Sequence, residues 1–159
     1  MKVQLAKSAG FCFGVNKAVN AVCDLLDAGE KVATLGPIIH NPQLVEKLSR
    51  RGVQIVESPA DAAKDAVLVI RSHGVPRAVY EEIRRCGVRM YDATCPFVSK
   101  IHRIVSRYSA DGYRVLIAGN AGHPEVMGIC GHCENDLQHN KLEKVCGNIK
   151  KTLYKSVDF

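Results

Sequence analysis

Five short apolar runs in this chain each lead through a brief loop to a thiol or an imidazole that stands where a helix is about to begin. The runs are Val3–Ala6, Val32–Leu35, Val67–Ile70, Met90–Asp92 and Val115–Ala118, and the reactive residues are Cys12, His40, His73, Cys95 and His123. Proline follows four of them within three positions, as Pro42, Pro76, Pro96 and Pro124, while Cys12 sits between Gly10 and Gly14. Proline suits a first helical turn, where its missing N–H is no loss. Strand-like and helix-like runs in alternation predict an α/β fold with a parallel sheet flanked by helices and right-handed crossovers. In such a sheet every strand-to-helix loop lies outside the carboxyl ends of the strands, where ligands bind. Two thiols and three imidazoles are therefore expected on one rim, an arrangement suited to a metal centre beside an anionic substrate.

The 159 residues make one domain, or one and part of another. A chain of this length buries enough surface to do without disulfide staples. With 47% apolar and 24% charged residues the balance is that of a globular protein. The formal charge of +6 suits a phosphate-bearing ligand or nucleic acid, and equally a solvated basic surface. The first ten residues hold no apolar signal segment and no run is long enough to span a bilayer, so a cytoplasmic protein with no membrane or nucleic-acid partner is expected. In that compartment seven cysteines are free, metal-binding or catalytic rather than disulfide-bonded.

Helical spacing of Val15, Ala18, Val22, Leu25 and Leu26 predicts a first helix over Val15–Asp27. Asn41-Pro42 opens a second, with Asn41 as its cap, ending near Gly52. Val53–Val56 reads as a short strand, and Ser58-Pro59 opens a short helix to about Lys64. Pro76 opens a helix ending near Gly87, and Pro96 a longer one to about Gly112. Residues 1–95 read as a complete unit of four or five strands, residues 96–133 as the start of a second similar domain, and residues 134–159 as a helical tail carrying Val145, Ile149, Leu153 and Val157.

Each reactive residue has a plainer reading beside the chemical one. Cys12, in Ala-Gly-Phe-Cys-Phe-Gly-Val, is either a structural cysteine in a tight turn or a thiolate favoured by the positive end of a helix dipole. Cys95, in Asp-Ala-Thr-Cys-Pro-Phe-Val, occupies an equivalent loop, so the two can face each other as metal ligands. His40, His73 and His123 are either hydrogen-bonded loop histidines or donors beside helix N-termini that favour phosphate. Glu125 is either a first-turn carboxylate complementing the dipole or a proton donor to a bound substrate. Cys23 and Cys86 fall on apolar helix faces and belong to the core. Cys130-Gly-His-Cys133 is compatible with a dithiol oxidoreductase, or with half of a zinc site completed by His139 and Cys146. The dithiol reading wants a strand directly before the motif, and here a helix begun at Pro124 precedes it.

The stretches Gly-Phe-Cys-Phe-Gly-Val, His-Asn-Pro, Ser-His-Gly-Val, Asp-Ala-Thr-Cys-Pro and Ala-Gly-His-Pro-Glu-Val, in this order and spacing, strongly resemble the 4-hydroxy-3-methylbut-2-enyl diphosphate reductase family over residues 1–133. The resemblance implies an iron–sulfur oxidoreductase of isoprenoid biosynthesis by the methylerythritol phosphate pathway. Its fold is three similar α/β domains around a [4Fe–4S] cluster bound by three cysteines, with one iron open to the substrate hydroxyl. By motif, Cys12 and Cys95 correspond to two cluster ligands, His40, His73 and His123 to the substrate- and diphosphate-binding residues, and Glu125 to the proton donor. The implied reaction is a two-electron reductive loss of hydroxide that yields isopentenyl and dimethylallyl diphosphates, with electrons from a donor such as ferredoxin or flavodoxin. The family's chains are longer, and its third cluster cysteine and the Thr, Ser and Asn residues of the diphosphate cradle lie beyond the matched region. This chain is therefore expected to be truncated, with its site solvent-exposed and an unpaired strand edge at Val115–Ala118. From such a half-site weak diphosphate binding, little turnover and a tendency to associate are expected. The competing expectation is a non-catalytic zinc- or phosphate-binding domain.

Overall fold

Ala66–Ile70 is buried along its whole length, as a strand covered on both faces must be, and it organises the molecule. The computed structural model describes residues 3–4, 6 and 9–134. In chain order the elements are α1 (Phe13–Asp27), β1 (Lys31–Leu35), α2 (Pro42–Arg50), β2 (Gln54–Val56), a 3-10 turn (Pro59–Asp61), β3 (Ala66–Ile70), α3 (Arg77–Cys86), β4 (Arg89–Asp92), α4 (Pro96–Ala110) and α5 (Pro124–Cys130). The four strands form one sheet in the order β2-β1-β3-β4, every pair parallel. The α/β architecture read from the alternation of elements is the one observed.

Successive strand residues point to opposite faces, and the core divides accordingly. Val32 and Val69 pack with Ala18 and Val22 of α1 and Leu48 of α2. Ala33, Leu35, Leu68 and Ile70 pack with Ile83 of α3 and Val88 on the other face. Cys23 and Cys86 sit against these two clusters, as their spacing predicts. The helix starts follow local chemistry. Asn41 Oδ1 accepts from the Leu44 N–H at 3.0 Å, one of the four amides a helix start leaves unpaired. Ser58 and Asp61 cap each other reciprocally, which closes a single 3-10 turn rather than the longer helix expected through Lys64.

Of the six expected strands, two do not form among the described residues. Residues 113–118 hold no regular structure, and Leu116 there is 59% exposed. A strand draws its backbone hydrogen bonds from a neighbour, and no described residue offers Val115–Ala118 one. Of Val3–Ala6, the described residues 3, 4 and 6 lie outside any strand, and Val3 is 82% exposed. The sheet therefore feeds three reactive loops, not five. The expected tail helix at Val145–Val157 lies outside the described residues. Segment 131–134 packs against the start of α3 and against α4, where Arg77 N–H donates to the Gly131 carbonyl at 3.2 Å and Ser106 Oγ to that of His132 at 2.9 Å.

Candidate functional site

β1 and β3 are adjacent and parallel, so the loops that follow them leave the sheet side by side. The first carries His40, one residue before the Asn41 cap of α2. The second carries His73, between Ser72 and Gly74. His123 arrives without a strand, as the N-cap residue of α5. The three rings nonetheless meet. Their centroids are 5.1 Å apart for His40–His73, 5.6 Å for His73–His123 and 6.0 Å for His40–His123. One ring nitrogen from each lies within 4.8 Å of the other two.

The protonation of the triad follows from its surroundings. His123 Nδ1 accepts the Glu125 backbone N–H at 3.2 Å. In the neutral ring that places the proton on Nε2, which is then a donor. His73 Nδ1 is buried and has no hydrogen-bond partner. Burial, with the charges of His40, Arg71 and His123, holds the His73 imidazole down at about 4. The triad is thus an open cluster, with His73 and His123 half-buried and His40 exposed, and burial keeps its His73 member neutral near pH 7. A divalent cation would need free nitrogen lone pairs, and His123 has already committed its Nδ1.

The two cysteines approach from the neighbouring helices. Cys12 is the N-cap residue of α1 and Cys95 that of α4, and neither side chain makes a capping hydrogen bond, so both sulfurs are free. Cys95 N–H donates to the Ser72 carbonyl at 3.0 Å, which ties its loop to that of His73. Its Sγ lies against Gly14, in the first turn of the helix that Cys12 caps. A Cβ at Gly14 would stand 2.6 Å from that sulfur. Only a residue with no side chain admits Cys95 there. Glu125 is half-buried in the first turn of α5, and the three-nitrogen cluster does not include its carboxylate.

Behind these loops sits a residue that the sequence reading did not single out. His102 of α4 is 5% exposed and stacks on His132, with centroids 4.1 Å apart. A Cβ at Gly74 would come 2.6 Å from its ring and 3.1 Å from Thr94. His102 therefore packs under both the His73 loop and the loop that carries Cys95. Its position at a spacing of four from Val98 on an amphipathic helix is the only sequence signal, and that reads as core. Tyr80 donates to Asp92 Oδ2 at 3.0 Å, while Asp92 Oδ1 accepts from the Thr94 N–H at 2.9 Å, which holds the turn before Cys95.

Cys130 and Cys133 lie at the C-terminal end of α5, joined by a Cys133 N–H bond to the Cys130 carbonyl at 3.0 Å. Burial pushes both thiols up, the reverse of what a reactive dithiol needs. His139 and Cys146, the other members of the expected zinc site, lie outside the described residues.

Residues 3–156 match the family model described as LytB protein. The chain is 45% identical over 145 residues to the 4-hydroxy-3-methylbut-2-enyl diphosphate reductase of Alkaliphilus oremlandii, covering 90% of this chain and 52% of that one. It is 47% identical over 137 residues to the enzyme of that name from Geotalea uraniireducens, covering 86% and 48%. Among solved structures, (E)-4-hydroxy-3-methyl-but-2-enyl diphosphate reductase, the terminal enzyme of the non-mevalonate pathway, superposes with a TM-score of 0.70 at 41% identity, over 82% of this chain and 46% of that one. The E-1-hydroxy-2-methyl-but-2-enyl-4-diphosphate reductase of Plasmodium falciparum does so with a TM-score of 0.75 at 28% identity, over 79% and 40%. The chain spans about half the length of the curated relatives it matches.

Proposed function

The chain belongs to the LytB family, and we propose that it carries the diphosphate-binding part of a 4-hydroxy-3-methylbut-2-enyl diphosphate reductase together with two of its cluster ligands. One observation carries the reading. Three imidazoles from three separate loops converge within 4.8 Å, and one of them has its proton fixed on Nε2 by a local hydrogen bond. Such a cluster of donors recognises a polyanion. Partial burial of His73 and His123 limits competing water there, which favours charge-assisted hydrogen bonds to phosphate, while exposed His40 leaves the site open on one side.

The donor set also fits an iron–sulfur cluster on this chain's side. Cys12 and Cys95 are free thiols that both sit at helix N-termini, and neither side chain makes a capping hydrogen bond. The Gly14 cradle brings Cys95 to the helix that Cys12 begins. When bound, the cluster supplies the two electrons and a Lewis-acidic position beside the substrate hydroxyl. The protein groups do the rest. His40, His73 and His123 hold the diphosphate and so orient the allylic end toward the cysteines. The Glu125 carboxyl delivers the proton that the departing hydroxide takes up. The electrons come from an external reductant such as ferredoxin or flavodoxin.

The first test is an NMR titration of the imidazole resonances with inorganic pyrophosphate. Shifts at His40, His73 and His123 with one saturable affinity are expected, and no shift at any of them would refute the reading. Anaerobic reconstitution with iron and sulfide tests the thiols separately. An oxygen-sensitive brown chromophore that is lost in both Cys12→Ala and Cys95→Ala is expected. A tightly held zinc lost instead on Cys130→Ala would favour the non-catalytic zinc-binding alternative.

A further inference from the structure

Arg71 follows β3 directly and precedes His73 by two residues. Its guanidinium lies over the backbone of Gly36, where an added Cβ would stand 2.8 Å from Nη1. Gly36 closes β1 at a φ of +67°, four residues before His40. The side chain thus reaches from the end of β3 to the end of β1, the two strands whose loops present His73 and His40. A glycine there serves twice, through its left-handed backbone and through the space it leaves for the cation.

The guanidinium is poorly compensated. Arg71 Nε is buried with no acceptor, and no carboxylate forms an ion pair with Arg71 among the described residues. Arg50, Arg51 and Arg89, by contrast, pair with Glu46, Asp27 and Glu30. Glu57, just past β2, acts on Arg71 only at longer range. A half-buried permanent cation with an orphaned N–H calls for a negative partner. The ordinary partner is missing among the described residues, and the charge of Arg71 is felt at the His73 imidazole, one member of the triad.

We propose that Arg71 is a further anion-positioning residue of this site, the fixed positive charge that draws a diphosphate group to the three histidines. This rests on the reading that the triad holds diphosphate, and deepens it. An imidazole gains its charge only when the anion is in place, whereas a guanidinium is charged throughout. The same field also keeps His73 neutral in the empty site.

The test uses the full chain and inorganic pyrophosphate at low salt. Arg71→Gln should weaken binding roughly tenfold, the loss of one unit charge several ångströms away in a partly solvated site. Arg71→Lys, which keeps the charge, should restore most of the affinity. The His73 pKa, followed by NMR without ligand, should rise in Arg71→Gln and stay low in Arg71→Lys. A merely structural arginine would not produce that pair of results. Exposed Glu57→Gln removes the opposing carboxylate and should tighten binding about twofold. It keeps the proposal testable if Arg71→Gln does not fold. If the unaltered chain binds pyrophosphate but neither Arg71→Gln nor Glu57→Gln changes the affinity, the role of Arg71 is refuted while the triad reading stands. If the unaltered chain binds no pyrophosphate, both fall together.

Discussion

Binding of a polyanion at the triad should charge His73, and the size of the effect follows from its surroundings. In the empty site its imidazole is held at about 4 against an ordinary 6.5, so charging it there costs about 3 kcal/mol more than in water. One phosphate charge about 4 Å away returns about 4 kcal/mol at an effective dielectric of about 20. A diphosphate brings more than one such charge, so attraction wins and the bound-state pKa returns to the ordinary range or above it. The sign follows by linkage. The proton contributes fully to affinity below the free-state value of about 4 and is lost as pH rises through the bound-state value. Within that window affinity should fall by up to about tenfold per pH unit. Calorimetry with inorganic pyrophosphate near pH 5.5, in buffers of different ionisation enthalpy, counts the protons taken up. Comparison with His73→Asn cancels the protons of pyrophosphate itself and of the other two imidazoles. Close to one additional proton in the unaltered protein is expected. Equal uptake and equal pH slope in the two proteins would refute the reasoning.

Three further outcomes follow from the packing. Gly14→Ala should destabilise by about 1 kcal/mol in urea unfolding, although alanine is the better helix former by about that amount, because its methyl would collide with Cys95 Sγ. In a Cys95→Ala background the same change should stabilise, and a stabilising single substitution would show that Cys95 simply turns aside. Burial and the charge of His132 hold His102 at about 4 against the opposing pull of Asp92, so the unfolded chain binds the extra proton between about 6.5 and 4. Its contribution is complete above 6.5 and lost as pH falls toward 4. Stability should therefore drop by about 1 to 2 kcal/mol from pH 7 to pH 5, and a His102→Phe protein that shows the same drop would count against it. Leu68→Ala, at a wholly buried position of the central strand, should cost about 2 to 5 kcal/mol in urea unfolding with an unchanged m-value, and a loss under 1 kcal/mol would mean that the sheet collapses around the cavity.

What was legible in the sequence is what local chemistry determines. Helix starts at Asn41-Pro42, Pro76 and Pro96 are written in residues that pair or dispense with orphaned amides, and each was found within a residue or two. Runs such as Val67–Ile70 announce a strand buried on both faces, because nothing else accommodates so many apolar side chains in so short a span. The rim itself was legible for His40, His73 and Cys95, whose loops leave true strands. Where the reading failed, at Val3–Ala6 and Val115–Ala118, apolar character was present but a pairing partner was not among the described residues. A strand is a property of two segments, and one segment cannot report it.

Gathering on one rim was expected from the sequence, but the route by which the site closes up belonged to the tertiary structure. His123 reaches the other two imidazoles from the cap of α5, with no strand behind it, through packing that no local pattern encodes. Gly14 reads only as a flank of the Cys12 turn until Cys95, 81 positions later in the chain, is found against it. Nothing local sets Arg71 apart until the fold lays it over Gly36 and buries its Nε. Sequence determines which groups are available and where the backbone turns, because those depend on neighbours along the chain. Which groups share a volume, and hence which are charged there, depends on burial and on distances through space, and these exist only once the chain has folded.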